Sequence, residues 1–479
     1  MIGWGNRAFS AAAFAAVLCF FIAPARAADD AEALVKQGDA FLQQRNLPSA
    51  IEAYRKASTL KPDLEIARQG LITALADAGK IDEAAAECLE LLRRKPNEAK
   101  YHRDYAALLY RQGKLEESIA EMNEALRLNP DSQAARRELA ALLMRNLRFS
   151  EAEALWADAI RRHPEDPDMH NQYGVVLARR GDPRAASASF EAALKLNPDH
   201  ADALYNLGYA KLSLWKLPEA IETLQKAIRA NPKNSDAYYH LARAFARSDR
   251  IKEAMDYLEQ ALRMKNDSAD YHVEMGRLLV RQNRDREAIS HFTEVFRHDP
   301  QHVEAHSLLG QALMRQRQMA LAIPQFRAVL AKRPEDAITF RELAICFAAT
   351  GKTEDAIIHY REALRYRPES PEAMNGLAWL LATDPDPKIR NGEEALALAN
   401  AALKLSGTRR ADYLDTLAAA QAETGKCDEA LKTIKSAIEL AKSCGDEQGV
   451  KDLESRIKTF TEGKPHRRGG AQPSTQPTR

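Results

Sequence analysis

Small and bulky apolar residues recur along this chain with a period of 34 residues. Within each period, two columns hold small residues, a third holds large apolar ones, and a turn column rich in glycine separates the two small columns. The first small column contains Gly38, Ala106, Ala140, Gly174, Gly208, Ala242, Gly276, Gly310 and Ala344, with Ile72 as its exception. The second contains Ala50, Ala84, Ser118, Ala152, Ala186, Ala220, Ala254, Ala288, Ala322 and Ala356. The bulky column contains Tyr54, Trp156, Phe190, Phe292, Phe326 and Tyr360. This pattern predicts a stack of identical units, each made of two helices joined by a tight turn.

The small columns mark the place where the two helices of a unit cross. Two antiparallel helices approach closely only where side chains are small, and the bulky column then fills the space around the crossing. Proline ends the second helix of nearly every unit, because it has no N–H to donate and disfavours a helical residue before it. The proline column holds Pro62, Pro96, Pro130, Pro164, Pro198, Pro232, Pro300, Pro334 and Pro368, with Asn266 in its one gap.

One segment shows the whole pattern: residues 201–232 read ADALYNLGYAKLSLWKLPEAIETLQKAIRANP. It resembles the tetratricopeptide repeat family, whose motif places Leu-Gly, an aromatic residue, Ala, Phe or Tyr, Ala and Pro along 34 residues. The resemblance implies an all-α fold, a right-handed superhelical solenoid of helix-turn-helix repeats. It also implies that the first helices of the repeats line a concave face.

We expect about twelve repeats. Ten run in phase over residues 28–368, and two more occupy residues 369–442, the first of them with an insertion at about residues 383–392. Residues 443–463 place Val450, Leu453, Ile457 and Phe460 on one apolar face, which predicts a capping helix for the open end of the stack. Residues 464–479 have no apolar face to bury and are predicted to be disordered.

The N-terminal end carries the features of an export signal. An apolar run of about 15 residues follows Arg7 and ends before Ala25-Arg26-Ala27. A short apolar run with an Ala-x-Ala site predicts a secretory signal peptide over residues 1–27, with a periplasmic or extracellular protein after cleavage at Ala27. An uncleaved anchor is the alternative, although the run is short for a bilayer span. In that case the signal peptide would be the membrane contact.

The overall charge is balanced. Charged residues make up 29% of the chain, but 69 basic and 68 acidic side chains nearly cancel. There is therefore no general attraction to nucleic acid or to anionic membranes, and we expect neither as a partner.

One column near the end of the first helix carries arginine in six repeats: Arg111, Arg145, Arg179, Arg247, Arg281 and Arg315, with Ser213 interrupting. On a concave face these side chains would form a ladder. Positive charge is added in repeats three and four by Lys100, Arg103 and Arg137. Guanidinium groups suit carboxylates or phosphates, so these nine residues are the candidate partner-binding site, with acidic peptide segments as expected ligands. The alternative is structural, because a cation in the last turn of a helix complements the helix dipole.

Two short motifs resemble a nucleotide-binding loop and a zinc-protease site, but each departs from the sequence that its chemistry requires. TGKT at residues 350–353 resembles the end of a phosphate-binding loop, yet Cys346 stands where that loop needs glycine, and a helix precedes it instead of a strand. HVEAH at residues 302–306 departs from the zinc-protease motif, since Glu304 follows the first histidine by two residues instead of one. We predict no catalytic residue, no cofactor and no metal, and expect that the chain is not an enzyme.

A histidine column accounts for part of the second motif. It contains His102, His170, His272 and His306. The family places a bulky ring at this column, so we interpret these histidines as partly buried, hydrogen-bonded packing residues.

The sequence therefore favours an exported, non-enzymatic scaffold that binds a protein partner along the groove of its first helices, in the assembly of a cell-envelope or secretion complex. One alternative is a structural spacer in a polysaccharide-export or outer-membrane complex, in which groove arginines have no effect on binding. The other is an accessory to a metal-dependent enzyme that would use His298, His302 and His306.

Overall fold

The computed structural model describes residues 30–407 and 410–468, which form 25 helices joined by short loops and contain no strand. Two compact units divide the chain, one ending at Lys216 and one beginning at Leu217.

The first unit contains eleven helices within the described residues. They are α1 (30–43), α2 (Leu47–Leu60), α3 (Glu65–Asp77), α4 (Ile81–Arg94), α5 (Ala99–Arg111), α6 (Leu115–Leu128), α7 (Gln133–Arg145), α8 (Phe149–Arg162), α9 (Pro167–Arg180), α10 (Pro183–Leu196) and α11 (Ala201–Ser213).

The second unit contains the remaining fourteen described helices. They are α12 (Leu217–Ala230), α13 (Ser235–Arg247), α14 (Ile251–Met264), α15 (Ala269–Arg281), α16 (Asp285–Val295), α17 (Val303–Arg315), α18 (Met319–Lys332), α19 (Ala337–Ala349), α20 (Thr353–Tyr366), α21 (Pro371–Thr383), α22 (Gly392–Leu405), α23 (Ala411–Glu423), α24 (Cys427–Ser443) and α25 (Glu447–Thr461).

Helices pack in consecutive pairs within each unit. In the first unit α5 packs on α6 and α9 on α10, and in the second unit α13 packs on α14 and α19 on α20. From α1 to α24, odd-numbered helices are the first helices of repeats and even-numbered ones are the second helices. This arrangement confirms the predicted all-α fold of helix-turn-helix repeats.

The small columns lie at the helix crossings, as expected. All ten residues of the second small column are at most 1% exposed. In the fifth repeat, the Phe190 ring of α10 rests on Gly174 of α9, because a Cβ built on Gly174 would lie 2.5 Å from the ring. Glycine at this column makes room for an aromatic ring on the partner helix, which explains how the small and bulky columns fit together.

The turn inside each repeat except the eleventh depends on one residue with a left-handed backbone. Glycine takes this conformation in five repeats, for example Gly181 with φ 93°. Six other repeats place a residue with a side chain at the same column, with φ between 56° and 60°: Arg45, Leu147, Trp215, Asp249, Asn283 and Arg317. Such residues cost about 1 kcal/mol each in this region. The packing of the two helices therefore imposes the turn even where the sequence does not favour it.

The insertion of the eleventh repeat forms a closed loop. The loop covers residues 384–391, between the end of α21 and the start of α22. The Arg390 guanidinium donates to the carbonyl of Asp384 at 2.9 Å, and Asn391 N donates to the carbonyl of Leu381 at 3.0 Å. These bonds hold both ends of the loop against α21.

The C-terminal end differs from its prediction in part. Helix α25 buries Leu453 and Phe460 against the preceding repeat, as a capping helix does. Residues 464–468 were predicted to be disordered, but they lie against the last repeats, because arginine side chains provide the contacts that an apolar face lacks. Residues 469–479 and the predicted signal peptide lie outside the described residues. Among the described helices, none combines the length and hydropathy of a bilayer span.

Candidate partner-binding surfaces

The six arginines of the predicted ladder all lie at the C-terminal ends of first helices and are exposed. Each is the last residue of its helix except Arg179, which is next to last in α9. Three belong to the first unit and three to the second. The structure thus places the predicted site residues at equivalent positions, but their contacts differ from repeat to repeat.

Two of these arginines bond to the helix of the preceding repeat. Arg111 donates to the carbonyl of Ala76 at 2.9 Å, near the end of α3. Arg281 donates to the carbonyl of Ala246 at 3.0 Å, near the end of α13. The last carbonyls of a helix carry partial negative charge, so each guanidinium stabilises its neighbour. These arginines lie in the last turn of their own helices and also complement the dipole of the first helix in the preceding repeat.

The contacts of three other arginines in the column, Arg315, Arg145 and Arg179, differ from one another. Arg315 donates to Asp285 at 2.9 Å and to Asn283 at 3.0 Å, again in the preceding repeat. Arg145 and Arg179 form no hydrogen bond or ion pair with any residue that the structure describes. Packing between repeats therefore uses some arginines of the column and leaves these two to solvent.

Lys100, Arg103 and Arg137 each lie beside a polar side chain of a neighbouring repeat. The pairs are Lys100 with Gln69 at 3.0 Å, Arg103 with Glu138 at 3.8 Å, and Arg137 with Asp168 at 3.9 Å. All six side chains are on first helices of the first unit. Carboxylates thus alternate with the cations, and the surface is mixed in charge instead of uniformly basic.

The histidine column has a structural role that confirms its interpretation. Each ring bonds through Nε2 to the carbonyl oxygen six residues earlier: His102 to Pro96, His170 to Pro164, His272 to Asn266 and His306 to Pro300, at 2.8–3.1 Å. These bonds tie the start of a first helix to the end of the helix before it. Within residues 30–407 and 410–468, no group of three or more His, Cys, Asp or Glu side chains is arranged to hold a metal ion.

Residues 464–468 occupy a second surface of the protein. This surface was not predicted from the sequence. Arg468 N donates to the carbonyl of Thr383 at 2.9 Å, so the main chain is bonded to the end of α21. The Arg468 guanidinium lies 2.5 Å from Asp384 Oδ2 and also bonds to the Thr353 hydroxyl. Only 3% of the Asp384 side chain is exposed. The chain end is therefore held by a buried carboxylate.

Glu423 holds the other arginine of this segment. Its Oε1 accepts a hydrogen bond from Arg390 Nε at 2.8 Å, and its Oε2 lies 2.5 Å from Arg467 Nη1. Glu423 is the last residue of α23, and its side chain is 13% exposed. We call Thr353, Trp379, Thr383, Asp384 and Glu423 the tail site.

Trp379 provides the apolar part of the tail site. Its ring lies 5.8 Å from the His466 ring, between centroids, and 5.3 Å from the Arg456 guanidinium carbon. Burial, together with the positive charges of Arg456 and Arg467, lowers the pKa of His466 to about 4, so this ring is neutral at pH 7. Arg456 also lies 3.2 Å from Asp415, and both of these side chains are buried.

One signal in the sequence could have revealed the tail site. Arg456 lies three residues after Leu453 and four before Phe460, on the face of the capping helix that is otherwise apolar. A charged residue on such a face indicates a buried partner, because arginine is rarely buried unpaired. The partner itself, Asp415, lies a repeat away and cannot be found by spacing.

Models of the tetratricopeptide repeat match most of the chain. One matches residues 6–65, 70–133, 174–221, 273–337, 308–365 and 341–409, and a second matches residues 109–172 and 216–279. The chain belongs to the tetratricopeptide repeat family. Its repeat architecture is that of a scaffold for protein–protein interactions.

Several known proteins are similar in part. The TPR repeat-containing thioredoxin TTL4 of Arabidopsis thaliana is 34% identical over 82 residues, which are 17% of this chain and 12% of that protein, so the chain matches about an eighth of this relative's length. The yeast Tom70 structure is 18% identical and covers 90% of this chain and 96% of its own, with a TM-score of 0.34. The MamA RS-1 ArsTM double mutant is 26% identical over 36% of this chain and 96% of its own, with a TM-score of 0.33.

Proposed function

We propose that this protein is an exported, non-enzymatic scaffold that binds a protein partner on the exposed surface of its first helices, in the assembly of a cell-envelope or secretion complex. The observation that carries the proposal is the state of Arg145 and Arg179. They end neighbouring first helices, are exposed and have no partner among the described residues, whereas Arg111 at the same column is used between repeats. Cations that packing does not use are available to a ligand.

The chemistry of these side chains favours an acidic partner segment. A guanidinium binds a carboxylate through two parallel hydrogen bonds, which gives both energy and orientation. Arg103 and Arg137 lie on α5 and α7 of the same unit, and their contacts of 3.8 and 3.9 Å to carboxylates of the next repeat are easily exchanged. Arg103 also bonds to Asp104 of its own helix at 3.2 Å. Several weak contacts along neighbouring first helices would add up to useful affinity, because binding at one makes the next intramolecular.

Charge reversal at the unpaired arginines tests this proposal. We expect the Arg145→Glu/Arg179→Glu variant to lose a discrete protein that the parent captures from a cross-linked envelope extract, as read by mass spectrometry. The matched control is Arg161→Glu/Arg162→Glu, which makes the same charge change on α8, a second helix, where both arginines are exposed. This control should capture the protein like the parent. Loss by the control as well would show that net charge, and not the first-helix surface, decides capture.

A structural spacer is the second candidate, and the bonds between repeats favour it. Arg111, Arg281 and Arg315 tie the third, eighth and ninth repeats to the repeat before each of them. Such bonds stiffen the stack. The spacer predicts equal capture by the parent, the variant and the control.

Export is a separate part of the proposal. The protein expressed in full length is expected to mature by cleavage after Ala27, because the Ala-x-Ala site follows a short apolar run. Mass spectrometry of the intact purified protein should then show an N-terminus at Ala28. Retention of residues 1–27 would contradict cleavage and support the uncleaved anchor.

A further inference from the structure

The tail site is organised by the repeats and not by the segment it holds. The Asp384 side chain accepts a hydrogen bond from Asp386 N at 2.9 Å, within the insertion loop, and Glu423 is fixed by Arg390 at 2.8 Å. These bonds orient the two carboxylates without any contribution from residues 464–468. A site that is oriented before its ligand arrives loses little freedom on binding.

The two carboxylates require a cation. Asp384 Oδ2 has the Arg468 guanidinium as its ion-pair partner, and the side chain is almost fully buried. Removing the cation from a buried pair leaves an uncompensated charge, which is strongly unfavourable. Arg468 Nη2 donates both to Asp384 Oδ2 and to the Thr353 hydroxyl, so one cationic group satisfies two polar groups of the site.

The segment in the tail site is more exposed than the residues that form the site. Residues 465–468 are all partly exposed, whereas Thr383 and Asp384 beneath them are buried. The hydrogen bond from Arg468 N to the Thr383 carbonyl joins two main-chain groups, so it does not depend on the side chain at either position. Any extended segment with two consecutive arginines could therefore make the same contacts.

We propose that the tail site binds a basic segment of a partner protein that carries two consecutive arginines, and that residues 466–468 of this chain occupy the site until the partner displaces them. This site does not include Arg145 and Arg179, and its ligand has a charge opposite to that of the acidic segment proposed for them. The chain's own segment competes at a high effective concentration because it follows α25 directly.

The test uses a fluorescein-labelled peptide of residues 462–470 (EGKPHRRGG) and full-length proteins, with binding read by fluorescence anisotropy. The Arg467→Ala/Arg468→Ala variant, whose site is vacated, should bind the peptide at least tenfold more tightly than the parent. The matched control Arg161→Ala/Arg162→Ala removes two adjacent arginines from α8 and should bind like the parent. Equal affinity of the vacated variant and the parent would overturn the proposal.

Two further measurements separate recognition from folding. A peptide with glutamine in place of both arginines should not bind to the vacated variant, and equal binding of the two peptides would overturn arginine recognition. Adding Glu423→Gln to the vacated variant should weaken peptide binding about tenfold with unchanged circular dichroism. If the parent instead forms a dimer in sedimentation velocity that the vacated variant loses, the occupant is the tail of a second copy and not a partner protein.

Discussion

Gly276→Leu is expected to destabilise the second unit by about 3 kcal/mol. A Cβ on Gly276 would lie 2.3 Å from the Phe292 ring, which is fully buried. The interior is close-packed, so neither the ring nor α15 can move aside, and a leucine overpacks the crossing of α15 and α16. Urea denaturation followed by circular dichroism measures the loss.

Combining Gly276→Leu with Phe292→Ala tests whether the two residues contact each other at the helix crossing. Phe292→Ala alone should cost about 3–5 kcal/mol because it leaves a cavity. The double variant with Gly276→Leu should lose at least about 1 kcal/mol less than the sum of the two, since leucine then enters the vacated space. Arg286→Leu, at an exposed position of α16, should change stability by less than about 0.5 kcal/mol. Strictly additive losses would show that the ring does not rest on this glycine.

The fold could be predicted from the sequence because each repeat contacts its neighbours. The residues that decide a crossing, such as Gly174 and Phe190, lie 16 positions apart and recur every 34 residues. A pattern of that range is visible in a single chain, and packing needs nothing beyond it. The left-handed turn at Leu147 or Trp215 was not predicted, because their side chains disfavour that backbone and tertiary packing overrides the preference.

For the arginine column, the sequence predicts the positions of the side chains but not their contacts. Spacing placed Arg111 and Arg145 at one column, and the structure agrees. Their different states depend on what the preceding repeat presents beside them, such as the carbonyl of Ala76 near the end of α3. Contacts of this kind arise from the lateral fit of two repeats, which a column of residues does not specify.

The tail site depends on long-range contacts and was missed for that reason. Arg468 meets Thr353 and Asp384, which precede it by 115 and 84 residues. Residues 464–468 lack a run of apolar side chains, but charge pairing with fixed carboxylates can order a short segment without one.

At pH 9, where Asp415 of the parent is ionised, Arg456→Met is expected to destabilise the C-terminal repeats by about 3 kcal/mol. Arg456 and Asp415 are 6% and 9% exposed and lie 3.2 Å apart. Removing the arginine leaves a buried carboxyl without its counter-charge. Native-state hydrogen exchange of α23, α24 and α25 measures the loss where it occurs, because the end of a repeat stack opens locally.

Two variants separate the buried pair from an ordinary surface charge. Arg297→Met removes an arginine that is 74% exposed, lies in the turn after α16 and pairs with Glu294, and it should cost less than about 0.5 kcal/mol. The double variant Arg456→Met/Asp415→Leu should recover most of the loss, since apolar side chains of similar size can replace a buried ion pair. If the double variant is as unstable as Arg456→Met alone, the loss comes from packing and not from charge.

The pH dependence of the stability of Arg456→Met tests whether Arg456 stabilises the ionised form of Asp415. Burial raises the pKa of Asp415 to about 7, opposed by Arg456 and reinforced by Asp412 and Asp452. The pKa of an unfolded aspartate is about 3.9, so the folded state holds a proton longer, and its stability falls as pH rises from about 4 to 7. Without Arg456 the folded pKa rises further, and this fall continues above pH 7. The stability difference between parent and Arg456→Met, from urea denaturation, should therefore grow from pH 7 to pH 9, whereas an equal difference at both values would show that Arg456 does not stabilise an ionised Asp415.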